Sequence, residues 1–317
     1  MTMTTPELAE LAKRTRSMRE AGIALLLASG ILALFLLFPL DSGTSPSAPV
    51  AMATTTPVAP FPVTPVEATA AIVYDLATSE TLYEKNANVQ LPLASLTKLL
   101  TVYAALVHLP ASTPITISSE ASLTEAPRAF KAGETFALGD LAKITLTASL
   151  NDGAVAIVEA ASAAAHHSTS DTLAGAAAAL DLAETYALNG NGLDVNTAIA
   201  GSYGSARDIA RLAGALAARA PDIALATTYP EARATSADGT IYRVKNTDPI
   251  VGEVPRLLLS KTGYTSLAGG NLALVFDAAI GHPIAVVVLG SSKGSRFTDG
   301  MALVTAALTH FATVPLR

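Results

Sequence analysis

Cysteine is missing from the 317 residues, and histidine occurs only five times. The first absence removes disulfide frameworks, Cys-based zinc sites, iron–sulfur clusters and thiol nucleophiles together. The five histidines are His108, His166, His167, His282 and His310. None stands in an H-x-x-x-H or comparable ligand spacing, so the sequence gives no sign of a metal or of another cofactor. Charge is scarce as well: 15% of residues are charged against 50% hydrophobic, and the mean hydropathy is +0.43. A disordered chain needs the opposite balance. Basic residues are the minority, 20 Lys and Arg to 26 Asp and Glu, and the isoelectric point is near 5.4. No basic stripe is available to track phosphates, which argues against a nucleic-acid partner. The length allows one large or two small domains.

The first positive signal is a run of twenty residues without a charge, Ala21 to Leu40. As a helix it would span about 30 Å, one hydrocarbon core. Lys13, Arg14, Arg16 and Arg19 precede it and Asp41 follows, which predicts the N-terminus inside and the rest of the chain outside. A cleaved signal peptide is the alternative, with Ala51-Met52-Ala53 as an A-x-A site. The run is longer than the roughly 7–15 residues of a signal core, and that site lies well past its end, so a retained anchor fits better. Residues 41–66 carry Pro46, Pro49, Pro57, Pro60, Pro62 and Pro65 among Ser, Thr and Ala, the composition of an extended tether. The expected organisation is a cytoplasmic tail over 1–20, an anchor over 21–40, a linker over 41–66 and one globular domain over 67–317. The expected location is a cytoplasmic membrane, single-pass, with that domain on the extracytoplasmic side.

From about Ala68 the pattern becomes globular. ATAAIVYD and TLYEKN alternate like a strand pair, and Ser95 to His108 has apolar residues on one helical face. PITIS reads as a short strand. Ala-rich stretches at 139–148, 152–165, 171–187 and 205–219 are helical by propensity and period. GTIYRVKN, RLLLSKTGYT, NLALVFDAA and PIAVVVLGSS then read as strands, and a helix from Phe297 to Phe311 follows. Strands at both ends with helices between predict an α+β fold whose late antiparallel strands pair with the first hairpin.

Three short strings carry chemistry. Ser95-Leu96-Thr97-Lys98 opens a helix, where residues i and i+3 share a face, so the lysine amine lies beside the serine hydroxyl. A serine is a poor nucleophile until a base takes its proton, and a lysine serves only when burial or a second cation keeps it neutral. Ser149-Leu150-Asn151 places a hydroxyl and a carboxamide two residues apart between helices, suited to proton relay and to binding a carbonyl. Lys261-Thr262-Gly263-Tyr264-Thr265 ends an apolar strand with a cation, two hydroxyls and a glycine that admits a ligand close to the backbone. Alone, the first two strings read more readily as ordinary helix caps, and the third is as much an ordinary strand end. Each occurs once, in the order S-x-x-K, S-x-N, K-T-G, which is the set found in penicillin-binding proteins and class A β-lactamases.

On these residues the chain resembles the serine D-Ala-D-Ala carboxypeptidases, the low-molecular-weight penicillin-binding proteins of peptidase family S11. The likeness covers roughly Ala68 to Phe311. LPLASLTKLLTVYAAL is similar to the family's nucleophile helix, and FKAGETFALGDLAKITLTASLNDGAVAIVEAAS to its segment through S-x-N. NGNGLD, SARDIARLAGAL, SKTGYTSLAGGNL and VVLGSSKGSRFTDG follow its pattern too. Leu150 departs from the Asp or Gly usual between Ser149 and Asn151. The chain also stops without the β-rich domain and C-terminal amphipathic anchor of many relatives, so the N-terminal span is expected to do the anchoring.

The resemblance implies the DD-peptidase/β-lactamase-like fold, an antiparallel sheet flanked by terminal helices beside a mostly helical lobe. It implies that Ser95 attacks the penultimate D-Ala carbonyl of a peptidoglycan stem peptide and that Lys98 takes its proton. Ser149 would pass a proton to the leaving D-Ala, Asn151 would hold the substrate amide and orient Lys98, and Lys261 would keep Lys98 neutral. The N–H groups of Ser95 and Tyr264 would form the oxyanion hole, with Gly263 between the flanking contacts. Thr262, Thr265 and Arg296 would hold the terminal carboxylate, although Arg296 also reads as a surface helix-cap arginine. β-Lactam antibiotics would acylate the same serine. A D,D-endopeptidase would use the same residues. A β-lactamase would need a deacylating carboxylate, for which Glu184 with Leu188 and Asn189 is one residue out of spacing. A catalytically idle wall-binding module is the third class; fluorescent penicillin separates them by long-lived adduct, turnover or no adduct.

Overall fold

A computed structural model describes residues 61–313. The predicted tail, the anchor at 21–40 and most of the linker lie outside these residues. No helix of the described residues is long and apolar enough to cross a membrane.

The centre is a five-stranded antiparallel sheet made of β1 (Ala70–Asp75), β2 (Thr81–Lys85), β10 (Leu257–Thr265), β11 (Gly269–Ala279) and β12 (His282–Ser291), in the order β10-β11-β12-β1-β2. β12 pairs with β1 in the register Ile72↔Val287, so the last strands close on the first hairpin as the sequence predicts. Both faces are covered, which is why these strands read as continuous apolar runs rather than as alternating ones. Leu272, Leu274, Phe276, Val286 and Val288 face the C-terminal helix α8 (Ser295–Thr313) through Leu303, Val304 and Ala307. Ala273, Val275, Ala285, Val287 and Leu289 belong to the second core, which contains α6 (Ala206–Arg219) through Ile209, Leu212 and Leu216.

That second core continues into a helical lobe of α1 (Thr97–His108), α2 (Ser119–Leu123), α3 (Leu138–Ala148), α4 (Asn151–Ala165) and α5 (Thr169–Ala179), with α7 (Pro221–Ala226) beside α3 and β10. Full burial of each Leu, Ile, Val or Phe contributes about 1.5–3 kcal/mol.

Three local expectations are corrected. α5 ends at Ala179 rather than 187, with Asp181 in the left-handed region (φ 50°) and a short strand β6 (Tyr186–Ala187) beyond. β6 pairs with β7 (Ser202–Gly204), which pairs with β3 (Leu91–Pro92). The strand in GTIYRVKN, β9 (Ile241–Lys245), pairs only with β8 (Glu231–Thr235), because Ala232, Ala234, Tyr242 and Val244 pack on the helical lobe and not in the large sheet. β4 (Pro114–Thr116) pairs with β5 (Thr135–Ala137). At the start of the body, Phe61 and Val66, which the composition assigns to the linker, pack against the core under α8.

Candidate active site

Ser95 sits in a one-turn 3-10 helix, Ala94–Leu96, directly ahead of α1. Ala94 has φ 49°, a left-handed conformation that an alanine holds only under constraint. The constraint is visible. Thr97 Oγ1 donates to the Ala94 carbonyl at 2.6 Å and also bonds the Ser202 hydroxyl, while Leu93 N–H donates to the Ser202 carbonyl at 3.1 Å. The loop at Gly192 presses on the same turn: with φ +76°, a Cβ there would lie 2.0 Å from the Ala94 carbonyl oxygen.

Lys98 follows one turn on, with no solvent exposure. Its Nζ is 2.8 Å from Ser95 Oγ, 2.8 Å from Asn151 Oδ1 and 2.7 Å from the Asn191 carbonyl oxygen. Two of these partners only accept hydrogen bonds. A neutral amine has two N–H bonds for them, which leaves its lone pair for the one partner able to donate, the Ser95 hydroxyl. Burial holds the Lys98 pKa well below its ordinary value, Lys261 pushes it in the same direction, and Asp152 opposes both.

The second string is placed by a helix-to-helix corner. α3 ends in Ser149, itself left-handed (φ 59°, ψ 36°), and α4 begins at Asn151. Such a conformation at a non-glycine residue costs on the order of 1–3 kcal/mol and turns Ser149 out of the helix line. The Asn151 amide is fixed at both ends, since Nδ2 donates to the Glu125 carbonyl at 3.0 Å while Oδ1 accepts from Lys98. Its backbone N–H donates to the Pro127 carbonyl at 2.7 Å. Leu150 is buried and takes no part in this network.

The third string lies on β10, at the edge of the sheet. Lys261 is buried; its Nζ donates to Ser149 Oγ at 2.9 Å and to the Thr262 carbonyl at 2.7 Å. Its pKa falls to about 7, through burial first and Arg296 second, with Asp248 opposing. Thr262 Oγ1 and Thr247 Oγ1 are 2.6 Å apart. Gly263 runs against the Ser95 turn: an added Cβ would be 3.0 Å from the Leu93 carbonyl oxygen and 3.2 Å from the Ser95 nitrogen. Glycine therefore allows the close approach of β10 to Ser95. Tyr264 is half exposed, with Lys293 Nζ 5.3 Å from its ring centroid. Arg296 is buried in the first turn of α8, and its Nη1 donates to the Gly263 carbonyl at 2.6 Å, so it is not a surface cap.

The structure thus brings Ser95, Lys98 and Asn151 into one network, and Ser149, Lys261, Gly263 and Arg296 into a second. Thr265 stands apart. Its hydroxyl donates to Asp194 Oδ1 at 2.9 Å and accepts from Ala268 N–H at 3.1 Å, so its one proton is already committed. Glu184 is tied away from these groups: its N–H donates to Asp208 and its carbonyl accepts from Gln90. Residue-by-residue reading of the sequence missed Asn191, Asp194, Thr247 and Asp248. Asn191 and Asp194 lie in the NGNGLD string and had that signal. Asp248 had none; it is buried, accepts from Ser260 Oγ at 2.5 Å, and its carboxyl is pushed up by burial.

A buried lysine in contact with one serine and a second buried lysine in contact with another, set where a sheet meets a helical lobe, define an active-serine architecture. Residues 53–293 match the profile of the D-alanyl-D-alanine carboxypeptidases, Peptidase_S11, and the chain belongs to that family. It is 29% identical over 269 residues to the D-alanyl-D-alanine carboxypeptidase DacC of Escherichia coli (strain K12), a match covering 78% of this chain and 63% of the relative. Penicillin-binding protein D2 of Listeria monocytogenes, solved in a cefotaxime-bound form, superposes with a TM-score of 0.65 at 25% identity, over 78% of this chain and 99% of that one. The D-alanyl-D-alanine carboxypeptidase of Mycobacterium tuberculosis H37Rv shares the fold, with a TM-score of 0.68 at 24% identity over 80% and 94%.

Proposed function

We propose that this protein is a penicillin-sensitive serine D-Ala-D-Ala carboxypeptidase acting on peptidoglycan stem peptides. The observation that carries the reading is the Lys98 amine held between Ser95, Asn151 and Asn191, with two acceptors to fill its N–H bonds and one hydroxyl to meet its lone pair. Ser95 Oγ gives its proton to Lys98 and attacks the penultimate D-Ala carbonyl, forming an ester and a tetrahedral oxyanion on the way. The oxyanion is taken up by backbone N–H groups where β10 meets the nucleophile turn, a contribution of about 3–4 kcal/mol per donor in comparable sites. Ser149, bonded to Lys261, gives its proton to the departing D-Ala amine and takes in its place the one that Lys98 removed from Ser95, which returns Lys98 to the neutral amine. Water then hydrolyses the ester, with Lys98 again as base. Arg296, behind Gly263, supplies positive charge for the terminal carboxylate, and Thr262 supplies a hydroxyl.

The uncharged run at 21–40 and the basic residues before it support an uncleaved anchor that keeps this activity on the outer side of the cytoplasmic membrane. A soluble mature protein beginning near Thr54 would disprove that. For the nucleophile, Ser95→Ala should abolish both labelling by fluorescent penicillin and peptide hydrolysis with thermal stability retained. Labelling that persists on another serine would refute the assignment.

A further inference from the structure

The small sheet β3-β7-β6 has no part in the chemistry, yet it leads straight into it: Pro92 pairs with Tyr203, and Tyr203 pairs with Tyr186. The two tyrosine rings are stacked, with centroids 5.3 Å apart and planes 22° from parallel. Tyr186 is 42% exposed, and so, to similar degrees, are Leu188 and Ile199 on the continuing ladder and loop, at 46% and 44%. The Leu188 N–H donates to the Gly201 carbonyl, so the pairing runs on past β6 and leaves Leu188 facing a residue without a side chain. Beyond Ile199 the strip reaches Val195, next to Asp194, which accepts from Thr265 at the end of β10. One end of this apolar strip is therefore tied to the nucleophile turn and the other to the K-T-G strand. Contiguous exposed apolar surface of this kind marks a binding site more often than chance exposure does.

We propose that the Tyr186–Tyr203 strip is a platform for the pyranose rings of the peptidoglycan glycan strand, so that the enzyme prefers stem peptides still attached to their sugar. This rests on the proposed carboxypeptidase function. A pyranose has an apolar C–H face and a polar hydroxyl edge, which matches tyrosine rings that carry an apolar body and a polar tip. The reach also matches. Two strand spacings and three residues of chain put the Tyr186 backbone at most about 20 Å from Ser95, and about 14 Å away where the two legs run at right angles, across the strands and along them. A stem of roughly four residues between sugar and scissile carbonyl spans about 14 Å when extended. The aliphatic residues Leu188 and Ile199 continue the same surface, and a second sugar along the strand would lie on them.

The test compares hydrolysis of a free pentapeptide with that of the same pentapeptide on its N-acetylglucosaminyl-N-acetylmuramoyl disaccharide, using the full chain. The wild type should favour the glycan-linked substrate roughly fivefold in kcat/KM, carried by KM, the size of one aromatic contact. Tyr186→Ala should erase that preference and leave free-peptide hydrolysis and penicillin acylation unchanged, while Tyr186→Phe should keep it. Equal kcat/KM for the two substrates in the wild type, or an undiminished preference in Tyr186→Ala, overturns the platform. If neither substrate is cleaved, the carboxypeptidase reading falls, and the platform is still judged by direct binding. The chain has no Trp, so its emission is that of tyrosine, and N-acetylglucosamine oligomers should quench it saturably in wild type and not in Tyr186→Ala. Absent quenching, or a Tyr186→Ala defect seen only in binding to lipid vesicles, would assign the strip elsewhere or to nothing.

Discussion

Three cations share a space in which none is well solvated: Lys98 and Lys261 are fully buried and Arg296 nearly so. Arginine keeps its proton at any working pH, so the strain falls on the two lysines. Burial and Lys261 together hold Lys98 well below its ordinary range. Acylation should therefore rise with pH through that depressed value, as the amine loses its proton. Lys98→Arg should lower the acylation rate at least about a hundredfold, the usual size of a positioned general base, because arginine cannot give up the proton. An active Lys98→Arg enzyme would mean that another group is the base. Lys261, with a pKa of about 7, leaves a second signature in stability. Between about 7 and its unfolded value near 10.4 the unfolded chain binds the extra proton, so stability should increase with pH across that window. The slope has an upper limit of about 1.4 kcal/mol per pH unit for one such group. Thermal unfolding of wild type and Lys261→Met between pH 7 and 9.5 checks this; equal slopes would show that Lys261 is not held neutral.

The elements that carry the site are mostly held by contacts distant in sequence, and this set what could be read in advance. The strands β10, β11 and β12 and the helices α1, α3 and α4 were legible because their apolar periods are long. The three motif strings were legible because order and uniqueness reinforce one another. β3, β5, β6 and β7 were not, since two or three residues give no period, nor was β8, whose EARAT alternates only alanine with polar residues, and Ala-rich propensity ran on past Ala179 where Asp181 turns the chain. The NGNGLD string marked Asn191 and Gly192 as part of a pattern but not what they touch, since one meets Lys98 through its main-chain carbonyl and the other meets Ala94 through the side chain it lacks. The Gly192 backbone supports the strained turn at Ala94, and a methyl group there would clash with the Ala94 carbonyl in a conformation that alanine disfavours. Gly192→Ala should slow penicillin acylation more than it lowers the melting temperature. Unchanged acylation would show that the turn holds its shape without that loop.

At the scale of the whole domain, the α8-covered sheet supplies β10 as its edge and the helical lobe supplies Ser149 and Asn151, while the Ser95 turn lies where the two meet. The seven residues of the site, Ser95, Lys98, Ser149, Asn151, Asn191, Lys261 and Arg296, come from the 3-10 turn, α1, the α3–α4 corner, the loop after β6, β10 and α8, so only the folded domain assembles them. The most direct test of the account is mass spectrometry of purified pentapeptide muropeptides after incubation with the protein. Monomers should lose one terminal alanine, with wild type but not with Ser95→Ala, and cross-linked dimers should stay intact. Dimers converted to monomers without loss of the terminal alanine, or trimming that survives Ser95→Ala, would contradict it.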